Sequence, residues 1–188
     1  MKKTVFIDRD GVINKDPAGW TTYSYVTAWE DFHFLPGALD ALKSLTVAGY
    51  DIIVISNQGG ISKKYFSSAA LDGITSKMLD EITRAGGRIK KVYYCPHQDS
   101  DNCACRKPKT GMFERAEREL GVKARGAYFI GDGRTDVAAG EAMGMKTVLV
   151  LSGKTSGDDI AGWETKPDIV VKDLLEAVKY IMKEGDVS

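Results

Sequence analysis

Four short clusters hold most of the residues able to do chemistry, and they come in order behind successive strand-like apolar runs. Asp8 and Asp10 lie in DRDGVIN. Ser56, Asn57, Gln58 and Gly59 lie in SNQGG, Arg106 and Lys107 in CRKP, and Asp132 and Asp136 in GDGRTD. Together these supply what phosphoryl transfer requires. A carboxylate is a competent nucleophile toward phosphorus, but it repels an anionic phosphate, so a divalent cation must neutralise both. Hard oxygen ligands around a partly hydrated ion suit magnesium. Asp8 and Asp132 are the expected side-chain ligands, with Asp136 ordering the outer shell. Lys107, Ser56 and backbone amides would hold the transferring oxygens as charge spreads over them. Asp10, two residues beyond Asp8 at the end of an extended run, projects to the same side. It is then free to protonate the leaving alkoxide and afterwards to activate water. Each fragment alone is weak, since a DxDG string often makes a turn. Four of them, each after its own strand, are specific.

A second constellation points to another metal. All three cysteines and one of the two histidines fall between positions 95 and 105, as Cys95, His97, Cys103 and Cys105. The pattern C-x-H-x5-C-x-C provides three thiolates and an imidazole, a closed tetrahedral set of the structural zinc kind. An odd cysteine count argues against a disulfide framework. The loop ends directly before Arg106 and Lys107, so clamping it would fix two cations on an otherwise flexible segment.

The elements that must position these groups alternate. Strand-like runs are expected at Thr4–Asp8, Asp51–Ser56, Lys91–Tyr94, Ala127–Ile130, Thr147–Leu151 and Asp168–Val171. Helical spacing of apolar residues covers Pro36 to Gly49, Leu71 to Ile82, Met112–Leu120, Asp136–Met143 and Leu174–Met182. Continuous apolar strands between helices predict an α/β fold, a parallel sheet with helices on both faces. Its ligands belong beyond the carboxyl ends of the strands. The 188 residues suit one domain, 1–188, that buries its own core. Twenty-six basic residues balance twenty-six acidic ones, which speaks against a nucleic-acid partner. No stretch approaches a membrane span and the start is unlike a signal peptide, so a cytoplasmic location and no membrane partner are expected, with a monomer as the expected state.

The order DRDGVIN, SNQGG, CRKP, GDGRTD resembles the haloacid dehalogenase superfamily over most of the chain. VYYCPH followed by CACRKPKTGM is similar to its branch of histidinol phosphatases and D-glycero-D-manno-heptose 1,7-bisphosphate phosphatases. The resemblance implies a Rossmann-like core, Asp8 as nucleophile, Asp10 as acid and base, and magnesium held by Asp8, the Asp10 backbone carbonyl and Asp132. It implies that Ser56 and Lys107 steady the phosphoryl group and that Arg106 recognises the substrate. Asp16, Asn57, Gln58 and Gly59 match substrate-contact positions, and zinc is implied for the Cys95–Cys105 loop. The expected substrate is a small sugar bisphosphate. CRKPKTGM favours the heptose enzymes, whereas the short zinc loop is more like the histidinol phosphatases.

Two features depart from that pattern. The relatives usually carry a Lys or Arg directly after the metal-binding Asp, in contact with substrate phosphate. Here Gly133 stands there and Arg134 follows, so either Arg134 substitutes or the contact is lost. No segment is long enough for a separate cap domain, which leaves the zinc loop and the aromatic stretch 16–31 as the rim. Trp20, Tyr23, Tyr25 and Trp29 in that stretch either pack the loop onto the body or stack on substrate. A phospho-accepting signalling domain would also use an Asp, a hydroxyl and a Lys, but needs neither Asp10 nor a zinc loop.

Overall fold

The computed structural model describes residues 3–185. Six strands form one sheet: β1 (Thr4–Ile7), β2 (Asp51–Asn57), β3 (Ile89–Cys95), β4 (Tyr128–Gly131), β5 (Lys146–Val150) and β6 (Ile169–Val171). Their order is β3-β2-β1-β4-β5-β6, with every pair parallel. Four helices connect strands, α1 (Ala38–Val47), α2 (Ser68–Arg84), α3 (Gly111–Leu120) and α4 (Arg134–Ala142), and α5 (Leu174–Gly185) follows β6.

Strand alternation divides the core between the two faces. Val5 and Ile7 point to one side with Ile52, Val54 and Val148, where Leu42, Leu45, Ile74, Met78 and Ile181 from α1, α2 and α5 cover them. Phe6 points to the other side with Ile53, Ile55 and Phe129, under Met112, Phe113 and Ala116 of α3 and Ala139 of α4. Period-two alternation within strands that are buried on both sides is what produces two apolar layers from one apolar run. The stretch from Asp8 to Gly37 carries only a short 3-10 turn, Trp29–Asp31, and no inserted domain. Among the described residues no helix is long and apolar enough to cross a membrane.

Several boundaries shift by one or more residues from expectation, three of them beside the site. β3 runs from Ile89 rather than Lys91 and reaches Cys95, because it pairs with β2 up to Asn57↔Cys95. The exposed Lys90 and Lys91 mask that strand in the apolar pattern. α4 starts at Arg134, two residues early: Asp136, third in the helix, accepts hydrogen bonds from the N–H groups of Asp132 (3.2 Å) and Gly133 (3.1 Å). A carboxylate there satisfies donors that have no helical partner. β5 is Lys146–Val150, one residue ahead of the expected run, and Leu151 begins the turn that follows.

Sheet order reverses direction between β1 and β4, and a parallel sheet opens a crevice at that point, outside its carboxyl ends. Asp8 follows β1 and Asp132 follows β4, so both stand on that crevice.

Candidate active site

The crevice is a cleft of about 430 Å3 whose lining includes Asp8, Asp10, Ser56, Lys107 and Asp136. Lys107 is the node. Its Nζ lies 3.0 Å from Asp8 Oδ1 and 2.7 Å from Asp136 Oδ1, and donates to the Ile55 carbonyl at 2.8 Å. An ammonium has three N–H donors, and here all three have acceptors. Burial alone would favour the neutral amine, but the charges of Asp136 and Asp8 outweigh it and hold Lys107 protonated. Asp136 is likewise buried; the charges of Lys107 and Lys154 overcome that and keep its pKa below the usual range.

Asp8 and Asp132 are in the opposite condition. Burial pushes Asp8 up to about 6 against the pull of Lys107, with Asp136 adding to the rise. Asp132 is pushed up to about 7 by burial, relieved in part by Lys154 and worsened by Asp136 and Asp8. Oxygens of Asp8, Asp132 and Asp136 all come within 4.8 Å of one another. Three buried carboxylates so close repel each other unless a proton or a cation lies among them. The surroundings fit a hard divalent ion. Asp132 Oδ1 is buried with no hydrogen-bond donor, and glycines wall the acid in. A Cβ at Gly11 would come 2.3 Å from Asp132 Oδ2, and one at Gly153 2.1 Å from it. Gly11 also has φ +78°, which disfavours any other residue. Both oxygens of Asp136 are already engaged, by Lys107 and by backbone N–H groups. That suits a role outside the ion's own ligands.

Asp10 is held by a clamp. Arg9, fully buried, donates to both of its oxygens at 2.9 Å, Asn14 to Oδ1 at 2.9 Å and Gln58 to Oδ2 at 2.7 Å. Burial raises the Asp10 pKa, but the Arg9 charge and these donors override it, leaving the acid well below the usual range. In this conformation Asp10 is a carboxylate, ready to take a proton; giving one up requires loosening from the clamp.

The expected substrate contacts divide into two groups. Asp16, Asn57, Arg106 and Arg134 line the cleft. Asn57 also grips Lys107, accepting its N–H at 3.0 Å and donating to its carbonyl at 3.1 Å. Gln58 is fully buried behind Asp10 and also donates to Ser56 Oγ at 3.1 Å, so it supports other groups. Gly59 is buried against the zinc loop, where a Cβ would meet the His97 carbonyl at 3.0 Å. Arg106 is steered by Asp99 (2.6 Å) and the His97 carbonyl (3.2 Å).

The aromatic stretch mainly packs. Tyr23 stacks on Tyr65 at 4.4 Å, Trp29 on Phe32 at 5.1 Å, and Trp20 lies against His33 at 5.2 Å. Tyr25 alone of its four expected aromatics reaches the cleft wall. A larger cavity of about 600 Å3 lies at the opposite end of the strands, among Tyr50, Tyr128 and Lys146, away from all four clusters.

The cysteine loop closes as its spacing predicts. His97 Nδ1 lies 3.6 Å from Cys95 Sγ and 3.3 Å from Cys105 Sγ, and the three sulfurs are 3.0 to 3.6 Å apart. Ligands at about 2.0–2.3 Å around a tetrahedral zinc would stand roughly 3.5 Å from each other. The donor set and its spacing fit zinc. Cys95 at the end of β3 anchors the loop, and Cys105 delivers the chain to Arg106 and Lys107.

Three residues escaped sequence reasoning: Arg9, Asn14 and Lys154. Arg9, between the two acids, is given no role by spacing, and the fold buries it completely beside Asn14, with both donating to Asp10. Lys154 arrives from SGK, a fifth strand-end cluster after β5: its N–H donates to Asp132 Oδ2 at 3.0 Å and its Nζ lies 3.4 Å from Asp132 Oδ1.

This sheet, with its buried acid after β1 and its acidic pair after β4, defines a HAD-like phosphatase. A family model described as "HAD-hyrolase-like" matches residues 104–177. The chain is 39% identical over 185 residues to a D-glycero-beta-D-manno-heptose-1,7-bisphosphate 7-phosphatase of Neisseria meningitidis, covering 97% of this chain and 96% of that one. It is 38% identical to the enzyme of the same name from Haemophilus ducreyi, over 96% of this chain and 98% of the other. The chain belongs to the D-glycero-beta-D-manno-heptose-1,7-bisphosphate 7-phosphatase family. A crystal structure of the D,D-heptose 1,7-bisphosphate phosphatase from B. bronchiseptica, complexed with magnesium and phosphate, superposes with a TM-score of 0.86. It is 31% identical and covers 97% of this chain and 99% of that one.

Proposed function

We propose that the protein hydrolyses a phosphomonoester of a sugar bisphosphate, D-glycero-β-D-manno-heptose 1,7-bisphosphate at its 7-phosphate, through a phosphoryl group carried on Asp8. The observation that carries the reading is Lys107 bridging Asp8 and Asp136 at the base of a cleft lined by Arg106, Arg134 and Lys154. The near full-length likeness to the heptose enzymes supports the substrate.

Asp8 and Asp132, with the Asp10 carbonyl, would hold magnesium. That ion supplies charge neutralisation between the nucleophile and the phosphate. Lys107, already charged and fixed, keeps Asp8 ionised. An Asp8 oxygen attacks phosphorus and the bond from phosphorus to the sugar oxygen breaks, while Asp10, loosened from its clamp and protonated from solvent beforehand, delivers that proton to the leaving oxygen. Asp10, again a carboxylate in the grip of Arg9 and Gln58, takes a proton from water. The water oxygen attacks phosphorus, the bond to Asp8 breaks, and inorganic phosphate leaves. Ser56 and the neighbouring amides contact the phosphoryl oxygens, while Arg106 and Arg134 meet the rest of the substrate, with Asp16 and Asn57 at its edge.

We also propose a structural zinc, a single catalytic domain, a monomer and a cytoplasmic setting. Every group named above comes from one chain, and three zinc-ligating thiolates persist best in a reducing compartment.

The test is phosphate release from both heptose bisphosphate anomers, histidinol phosphate, other sugar phosphates and a 3′-phosphorylated oligonucleotide. The β-anomer is expected to give the highest kcat/KM; a better rate on histidinol phosphate would overturn the assignment. Asp8→Asn should lower kcat by about four orders of magnitude or more without unfolding the protein. Substantial turnover by that variant would sink the covalent route.

A further inference from the structure

Gly133 follows Asp132 and precedes α4, and its missing side chain leaves a space that another residue fills. A Cβ built on Gly133 would lie 2.5 Å from Lys154 Cε and 3.0 Å from its Nζ. Lys154 comes from the turn after β5, and its backbone is pinned to the acid it faces. Its own N–H donates to Asp132 Oδ2 at 3.0 Å, and the hydroxyl of Thr155 donates to the Asp132 carbonyl at 2.6 Å. The side chain, in contrast, is 53% exposed and lines the cleft beside Arg106 and Arg134.

Its one ion pair among the described residues is loose. At 3.4 Å from Asp132 Oδ1, the ammonium is beyond the 2.7–2.9 Å of a good charge-assisted hydrogen bond. A divalent ion on Asp132 would repel this head toward the open cleft, since like charges a few ångströms apart repel strongly where water is partly excluded. Lys107 is not placed for the same task, because its buried head is held among Asp8, Asp136 and the Ile55 carbonyl beside the reacting group. An anchored backbone with an uncommitted cationic head is the arrangement that captures a phosphate arriving from solvent.

We propose that Lys154 is a specificity-determining residue that binds the phosphate retained on the sugar, filling from the β5 turn the place a side chain at position 133 would occupy. The inference rests on the bisphosphate reading above. Arg134, exposed on the first turn of α4, shares the same wall.

The experiment compares kcat/KM for heptose 1,7-bisphosphate with that for p-nitrophenyl phosphate, which has no second phosphate. In Lys154→Met the ratio of the two should fall tenfold or more, chiefly through KM of the bisphosphate, and Lys154→Arg should recover most of it. Adding Gly133→Lys to Lys154→Ala, which vacates the space, should restore part of the ratio. A ratio unchanged in Lys154→Met, or a double variant no better than Lys154→Ala, overturns the assignment. Magnesium Kd, measured calorimetrically without substrate, should hold or tighten in Lys154→Met because a neighbouring positive charge is gone. A tenfold weaker Kd would mean that Lys154 serves the metal site instead, and would also overturn it. The wild type separates the two levels: no preference for the bisphosphate removes the substrate class and Lys154 together. A wild-type preference that survives in Lys154→Met removes Lys154 alone.

Discussion

Lys107 and Lys154 face the same group of carboxylates from two different loops, yet they are held in contrasting ways. Lys107 has a side chain 1% exposed, with three acceptors within 3.0 Å. Asn57 grips its peptide on both sides, and Cys105 of the Cys/His cluster lies two residues before it. Lys154 has a fixed backbone but a side chain 53% exposed, with one carboxylate at 3.4 Å. The first has lost its rotamer freedom on folding, so no ordering cost remains when charge develops on the phosphoryl group. The second keeps that freedom and can follow a ligand. Stiffness suits the reacting centre, and adaptability suits the part of the substrate that does not react.

That contrast can be broken at its strong end first. Lys107→Ala should lower kcat by about a thousandfold, as loss of a fixed positive charge beside a charge-bearing transition state does. It also leaves Asp8 and Asp136 facing each other without their counter-ion. A loss below tenfold would mean that the buried lysine is structural and that the contrast is empty.

Removing zinc comes next. A metal-stripped sample that circular dichroism shows to be folded should lose about tenfold to a hundredfold in kcat. Its preference for the bisphosphate should fall less than kcat, because Lys154 lies on the other loop and only Arg106 on this one. Normal kinetics in such a sample would separate the cysteine loop from Lys107; a loss of preference alone would reverse the roles of the two loops.

The smallest effect is one of pH. Asp8 near 6 and Asp132 near 7 both lie above the ordinary 3.8 of an unfolded aspartate. The folded, metal-free protein therefore holds protons that the unfolded chain has lost, and these two groups favour folding less as pH rises through 6 to 7. Magnesium must displace the same protons. Its Kd should weaken roughly tenfold from about pH 8 to about pH 6, read by calorimetry, with a thermal shift on adding magnesium that shrinks in parallel. Lys107 should stay anchored throughout, because Asp136 is held below the usual range, while Lys154 loses its partner as Asp132 protonates. A Kd flat across this range would contradict the buried, mutually repelling carboxylates.

Much of this site was legible because its parts are local. Asp8 and Asp10 are two residues apart after a strand, and Asp132 and Asp136 lie on one strand-to-helix turn. The zinc ligands fall within one loop whose spacing alone prescribes a tetrahedral set. The strand pattern was least legible where burial is one-sided: the Lys90–Lys91 pair concealed the start of β3.

The chain's sequence by itself pointed to the reaction class, the candidate acids, the Cys/His set and the layered α/β fold, since each follows from short-range spacing and apolar periodicity. Tertiary structure alone decided what the charged residues between those motifs do. It buried Arg9 and Gln58 as a clamp on Asp10, and it brought Lys154 from the β5 turn into the space that Gly133 leaves beside Asp132. The physical reason is that a charge's role depends on which long-range neighbours remove it from water and which acceptors meet it there, and no spacing within a single segment encodes that.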